Sequence, residues 1–151
     1  MANKASSWGG KGGAAWDWNP GSDSSIIEIV INYGDVVDSV AFVSFNSATG
    51  KTVFSGTHGG KGGASRKILI DKLSGEYLSL ISGKTRDNYC GKKIIGSLTF
   101  HTNLHKYGPF GVASVGDAFE IPMENGKIVG FFGRAGNWVD ALGIYVTPSA
   151  K

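Results

Sequence analysis

One glycine-rich block occurs twice in the chain, WGGKGG at residues 8–13 and HGGKGG at residues 58–63, 50 positions apart. Glycine-rich turns expose backbone N–H groups, so the first chemistry to test is a phosphate cradle. A P-loop needs GxxxxGK followed by Ser or Thr, and here Ala14 and Ala64 follow the blocks. A dinucleotide fingerprint needs its glycines between a strand and a helix, yet no helical stripe of apolar residues follows either block. Tight turns remain as the local reading.

Acid–base and metal chemistry fare no better. Asp35 and Asp38 are the nearest thing to a carboxylate pair for glycoside hydrolysis, and His58, His101 and His105 are the imidazoles. None of them forms a recognisable constellation of acid, base and nucleophile. His101 and His105 stand four residues apart in a strand and turn context, which is not a zinc pair, and no EF-hand spacing is present. The single cysteine, Cys90, excludes an intrachain disulfide framework and fits a reducing compartment. The expectation is a non-enzyme without metal or cofactor.

Charge and hydropathy exclude two further classes of partner. Fifteen basic and twelve acidic residues leave a net charge of +3, scattered singly, and no basic run exceeds two residues, as at Lys92-Lys93. That is no nucleic-acid footprint. The opening MANKASSW has no apolar signal-peptide core, and no stretch approaches the roughly 18 apolar residues of a membrane span. A soluble, cytoplasmic or nuclear protein without membrane insertion is expected.

The elements that must carry these blocks are strands. Segments rich in Val, Ile, Phe and Tyr recur at residues 25–33, 39–45, 76–83, 94–101, 127–133 and 141–146. Turn signals separate them, including Ala48-Thr49-Gly50 and an Asn125-Gly126 hairpin turn between AFEIPME and KIVGFFG. With 24 glycines in 151 residues, more than double the usual share of about 7%, the chain reads as one turn-rich, all-β domain over residues 1–151.

Repeats organise the strands. A third glycine block, YGPFG, begins at Tyr107, and a Gly-x-x-x-Asp motif recurs as GDVVD (34–38), GKTRD (83–87) and GNWVD (136–140). GDVVD and GKTRD each precede a glycine block by 24 positions, whereas nothing follows GNWVD. If three units close around a pseudo-threefold axis, the missing partner is the N-terminal WGGKGG, and the first strand completes the last sheet. Closure of this kind also limits exposed strand edges.

From about residue 8 to residue 146 the chain resembles the jacalin-related plant lectins. The likeness rests on the WGGKGG opening, on SLTFHTNLHKYGPFG and, most specifically, on VGFFGRAGNWVDALGIYV. The resemblance implies a β-prism I of three four-stranded antiparallel sheets with pseudo-threefold symmetry. It also implies metal-independent carbohydrate binding, with the sugar held between a Gly-x-x-x-Asp loop and the neighbouring glycine block at one end of the prism. The chemistry suits the residues, since a carboxylate accepts hydrogen bonds from two adjacent hydroxyls while loop N–H groups donate to sugar oxygens.

At the first implied site Asp140 is the bidentate acceptor, Asn137 and Trp138 are backbone donors, Gly136 turns the loop and Gly13 faces it. The Trp138 ring is a further candidate for packing against the sugar. At the second, Asp38 is the acceptor, Asp35 and Val36 are loop donors and Gly63 is the facing glycine. GKTRD with YGPFG departs from the pattern, because Pro109 lacks an N–H, Phe110 is bulky and Arg86 stands ready to neutralise Asp87, so no third sugar is expected. Galactose-preferring members are cleaved near the position of Gly13, and this chain runs through it. Mannose- and glucose-containing glycans are therefore the implied partners, with a homo-oligomer, dimer or tetramer, as the implied assembly. A β-prism that reads a protein partner is the alternative.

Overall fold

Alternation of apolar and polar residues builds the strands, and bulges decide which face each residue meets. Strand β3 (Ser24–Tyr33) buries Ser24 and Ile26, then Ile29 and Ile31, so the buried parity switches from even to odd. The switch falls where the pairing with β4 (Val37–Asn46) shifts register, between Ile26 and Glu28. A one-residue bulge turns the rest of the strand over and keeps its isoleucines on the core side.

The computed structural model describes residues 3–121 and 126–148. The remaining strands are β1 (Asn3–Gly9), β2 (Ala14–Trp18), β5 (Lys51–Gly59), β6 (Ala64–Leu69), β7 (Leu78–Tyr89), β8 (Lys92–Thr102), β9 (Lys106–Gly111), β10 (Asp117–Ile121), β11 (Gly126–Ala135) and β12 (Val139–Pro148). They form three four-stranded antiparallel sheets with the orders β1-β12-β11-β2, β5-β4-β3-β6 and β10-β7-β8-β9. Each sheet is a central hairpin flanked by the two strands of another segment. In the first sheet the flanking strands come from the start of the chain and the hairpin from its end, as the repeat arithmetic predicts.

The inner faces meet in one apolar core. Phe42, Phe100 and Phe131, one from each sheet, are at most 1% exposed, and the Phe42 and Phe131 rings stack at 3.8 Å. Ile29, Ile31, Ile81, Ile95, Leu98, Ile128, Leu142 and Ile144 surround them. At about 1.5–3 kcal/mol for each fully buried large apolar side chain, this contact among the sheets holds the prism closed and fixes the loops at its ends.

Two turn signals have different outcomes. Asn46 caps the turn at Ala48-Thr49-Gly50, its side chain accepting from the Ala48 and Thr49 N–H groups, and β4 and β5 pair across it. The hairpin expected at Asn125-Gly126 does not form. Asn125 itself lies outside the described residues, but β10 pairs with β7 whereas β11 pairs with β12 and β2. An Asn-Gly dipeptide speaks only for local backbone bending. Here the chain passes from one sheet to another, because β10 supplies the fourth strand of its own sheet.

Candidate functional site

The two intact motifs fold into matching three-residue loops. Gly136, Asn137 and Trp138 join β11 to β12, and the Gly136 N–H donates to the Trp138 carbonyl at 3.0 Å. Gly34, Asp35 and Val36 join β3 to β4 in the same way, with Gly34 donating to the Val36 carbonyl at 3.0 Å. Each loop delivers its aspartate as the second residue of the following strand, Asp140 on β12 and Asp38 on β4.

The glycine blocks lie directly on these carboxylates. The Gly10 N–H donates to the Asp140 main-chain carbonyl at 2.8 Å, and Gly60 does the same to Asp38 at 2.9 Å. A Cβ on Gly12 would stand 2.6 Å from Asp140 Oδ2, and one on Gly13 would stand 2.7 Å from Oδ1. At the second site a Cβ on Gly63 would stand 2.5 Å from Asp38 Oδ2. Gly13 and Gly63 also hold φ of +69° and +83°, a left-handed backbone that side chains disfavour. Both needs, close approach and positive φ, select glycine.

The carboxylates differ in their surroundings. Asp140 is fully buried, and neither of its oxygens has a hydrogen-bond partner among the described residues. Burial pushes its pKa above the ordinary carboxylate value, and the nearby Lys92 and Arg134 cations pull partly against that. Asp38 is 9% exposed, and its pKa is raised by burial and then by the like charge of Asp35.

The sites are neighbours at one end of the prism. Gly60 of the second block sits under the Asn137 carbonyl of the first loop, and Gly10 of the first block sits under the carbonyl of Lys93 on β8. Arg86 on β7 donates to the Asp35 carbonyl of the second loop at 3.1 Å. Each sheet thus touches the loops of the next around the pseudo-threefold axis. The Trp138 ring, offered in the sequence as a sugar-packing face, meets Tyr89 edge-on at 5.0 Å. Val36 as a whole is 1% exposed, and its carbonyl accepts from the Gly34 N–H within the loop.

The third unit corrects the reading of GKTRD. Residues 83–87 lie inside β7 and make no loop. The residue that follows the aspartate is Ala141 in the first sheet and Ser39 in the second, paired with Gly9 and Gly59. Its counterpart in the third sheet is Ser97, paired with Gly111. Gly96 therefore stands where the other sheets carry Asp140 and Asp38, and the glycine loop of this unit follows Gly111 and ends at Gly116, beyond YGPFG. The position of the short loop is taken by an extension of the β7–β8 hairpin, which pairs Arg86 with Ile94 and Tyr89 with Lys92. Arg86 is not a partner of Asp87; its guanidinium bonds Asp35 and lies 5.1 Å from the Tyr89 ring.

Two of the three histidines are held by packing, while His105 is exposed. His58 stacks on Trp16 at 4.0 Å and its Nε2 meets the Ser55 carbonyl at 3.1 Å, while His101 Nε2 meets Ser82 Oγ at 2.8 Å. Burial lowers the pKa of both rings. Among the described residues no group of three or more His, Cys, Asp or Glu side chains is placed to hold a metal ion. A cleft of about 590 Å³ on the first sheet is lined by Lys4, Trp8, Trp16 and Phe132 among others, and neither Asp140 nor Asp38 opens into it. The two carboxylates stand beside the short loops at the prism's end, outside this cleft.

Comparison with known proteins bears on these loops. A family profile described as "Jacalin-like lectin domain" matches residues 5–145. The chain is 46% identical to a mannose/glucose-specific lectin of Parkia platycephala over 93% of its own length, and it spans only 31% of that relative. The solved structure of Malaysian banana lectin superposes with a TM-score of 0.87 at 41% identity, covering 99% of this chain and 100% of that one. A mannose-specific jacalin-related lectin of Morus nigra, solved in complex with mannose, gives a TM-score of 0.86 at 38% identity, covering 97% and 95% of the two chains.

Proposed function

The chain belongs to the jacalin-like lectin domain family, and from that premise we propose that it binds α-mannose or α-glucose without a metal, at two loops, one built on Asp140 and one on Asp38. The observation that carries the reading is the Asp140 carboxylate, buried with both oxygens unpartnered among the described residues. A buried charge without hydrogen bonds is strongly unfavourable, and buried polar groups in native proteins nearly always have partners. Two adjacent sugar hydroxyls supply two donors at once, each a charge-assisted bond of about 1.5–3 kcal/mol.

The glycine loop supplies the complement. Main-chain N–H groups beside Gly12 and Gly13 donate to ring and exocyclic oxygens, and the missing Cβ atoms leave room for a sugar ring against the backbone. The printed names of the relatives, mannose/glucose-specific and mannose-specific, support the choice of sugar. Shallow loops of this kind bind a monosaccharide at about millimolar strength, near −4 kcal/mol. Useful affinity then comes from several sites engaging one branched glycan, within a chain and across an oligomer.

Calorimetric titration of the intact chain with methyl α-mannoside in the presence of a chelator tests the reading, with a glycan panel to rank sugars. Binding with a stoichiometry of two is expected. Loss of binding in chelator with recovery in calcium contradicts the metal-free claim, and a flat response across the panel favours a prism that reads protein instead.

A further inference from the structure

The two glycine loops differ in one support that neither motif contains. Arg134, on β11 two residues before the first loop, spans the prism's end to the N-terminal block. Its Nε donates to the carbonyls of Lys11 and Gly12, both at 3.1 Å, and its Nη2 donates to the Gly13 carbonyl at 3.0 Å. Three successive carbonyls are thus gathered on one guanidinium.

The position has a counterpart in the second sheet. Arg134 pairs with Ala141 across one side and Ala15 across the other. Asn32 pairs with Ser39 and Ser65, which are the same places relative to Asp38 and HGGKGG. Asparagine has a single amide nitrogen on a one-carbon stem, and among the described residues it makes none of the three bonds that Arg134 makes. The second loop lacks this clamp.

Holding carbonyls has a consequence for the opposite edge of the same peptide units. The peptide bonds of the block are trans, the one cis bond among the described residues being Gly108-Pro109. In a planar trans peptide the N–H points opposite to the C=O. With the Lys11 and Gly12 carbonyls turned onto the guanidinium, the N–H groups of Gly12 and Gly13 are aimed away from it. Glycine has more backbone freedom to lose than any other residue, so an unclamped Gly-Gly pair pays its ordering entropy when ligand binds. The planar fork of arginine settles that orientation beforehand.

We propose that Arg134 is a positioning residue for the sugar site at Asp140, and that its replacement by Asn32 in the second sheet makes the Asp38 site the weaker of the two for the same monosaccharide. The proposal rests on the sugar reading of these loops, and its tests separate the two.

Single-site parents isolate the sites: Asp38→Asn leaves the first, Asp140→Asn the second. Titrated with methyl α-mannoside, the first parent should bind more tightly. Adding Arg134→Gln to it should weaken binding about tenfold, the loss expected from about 1.4 kcal/mol. Arg134→Lys should weaken it comparably, because the ammonium keeps the charge but not the fork. Backbone NMR order parameters at the Gly12 and Gly13 amides, measured without sugar, should fall in both variants. In the second parent, Asn32→Arg should tighten binding, a gain that mere structural damage in a variant cannot produce. Unchanged affinity in Arg134→Gln, or full rescue by lysine, overturns the positioning role while leaving the sugar reading intact. A first parent silent to every sugar overturns the site assignment and the proposal with it.

Discussion

The loops at Asp140 and at Asp38 share a motif, a turn and a glycine block, yet they hold their carboxylates under opposite fields. Asp140 is sealed from solvent with Lys92 and Arg134 beside it, while Asp38 keeps a little exposure and has a second carboxylate, Asp35, in its own loop. The motif sets where the acceptor stands. Charged neighbours set how strongly it is poised: Lys92 from the adjoining sheet and Arg134 from β11 at the first loop, and Asp35 from within the motif at the second. In the third unit Gly96 replaces the acceptor and the β7–β8 extension replaces the loop, so the same fold there supports no such site.

The largest expected effect breaks the comparison one side at a time. Asp140→Asn keeps the shape and removes the charge, so up to two charge-assisted bonds of about 1.5–3 kcal/mol each are weakened, and sugar affinity at that loop should fall at least tenfold. Asp38→Asn should do the same to its own loop alone. Titration stoichiometry reads the result: each variant should drop from two sites to one. An Asp38→Asn variant that still shows two sites, or a parent with one, would remove the second loop from the comparison.

Next in size are the glycines under the carboxylates. Gly63→Ala puts a Cβ 2.5 Å from Asp38 Oδ2 and imposes a left-handed φ of +83° on alanine. Strain of about 1–3 kcal/mol is expected, with loss of binding at the second loop and a lower melting temperature. Gly34→Ala is the control, because a Cβ there meets nothing within 4 Å and its φ is not positive. Melting curves of the two variants should differ clearly; equal stability would mean the block yields more easily than its geometry implies.

How much of this is legible in the sequence depends on whether a feature is local. The two matching loops and the glycine blocks that lie against them are readable, because a Gly-x-x-x-Asp stretch and a glycine block are short and their spacing repeats. Closure of the first sheet by both ends was readable for the same reason. The third unit was misread, since a five-residue motif does not reveal its register, and only the pairing of Gly111 with Ser97 shows that Gly96 is the counterpart. GKTRD is a coincidence of composition inside β7. The Asn125-Gly126 hairpin failed because turn chemistry is local and sheet membership is not. Arg134, Lys92 and Tyr89 carried no signal at all: Arg134 acts on residues more than 120 positions away in the chain.

A smaller effect turns stability against binding. The pKa of both aspartates is raised in the folded chain, so the native state binds protons more tightly than the unfolded one. For a carboxylate raised in this way the ionised form opposes folding above the raised pKa, and the opposition disappears as pH falls through it. Asp140→Asn should therefore melt at or above the temperature of the parent near neutral pH in the absence of sugar, although it loses the site. Sugar added to the parent should close that gap by binding the native state alone. A variant that melts clearly lower would show that the Asp140 carboxylate has partners in the free protein.

The smallest expected effect sharpens the contrast in field. Sugar binding requires the acceptor to be ionised, so affinity at each loop should hold at neutral pH and fall as pH drops through the raised pKa of its aspartate. At Asp38 part of that rise comes from Asp35, which shares its loop and is exposed. Asp35→Asn removes the like charge, lowers the pKa of Asp38 and should carry binding at the second loop to lower pH. Salt should act in the same direction on the parent, because an exposed charge is screened within about 8 Å at physiological ionic strength. The same substitution should leave the pH profile of the Asp140 loop in place, where the neighbours that count are cations. Profiles of affinity against pH in the two single-site parents, each with and without Asp35→Asn, make the test. A shift confined to the Asp38 parent places the difference between the loops in their charged neighbours. No shift in either would mean that burial alone sets the two acceptors and that Asp35 is only a donor of main-chain N–H, whereas equal shifts in both would mean that the Asp35 charge acts on both loops and does not distinguish them.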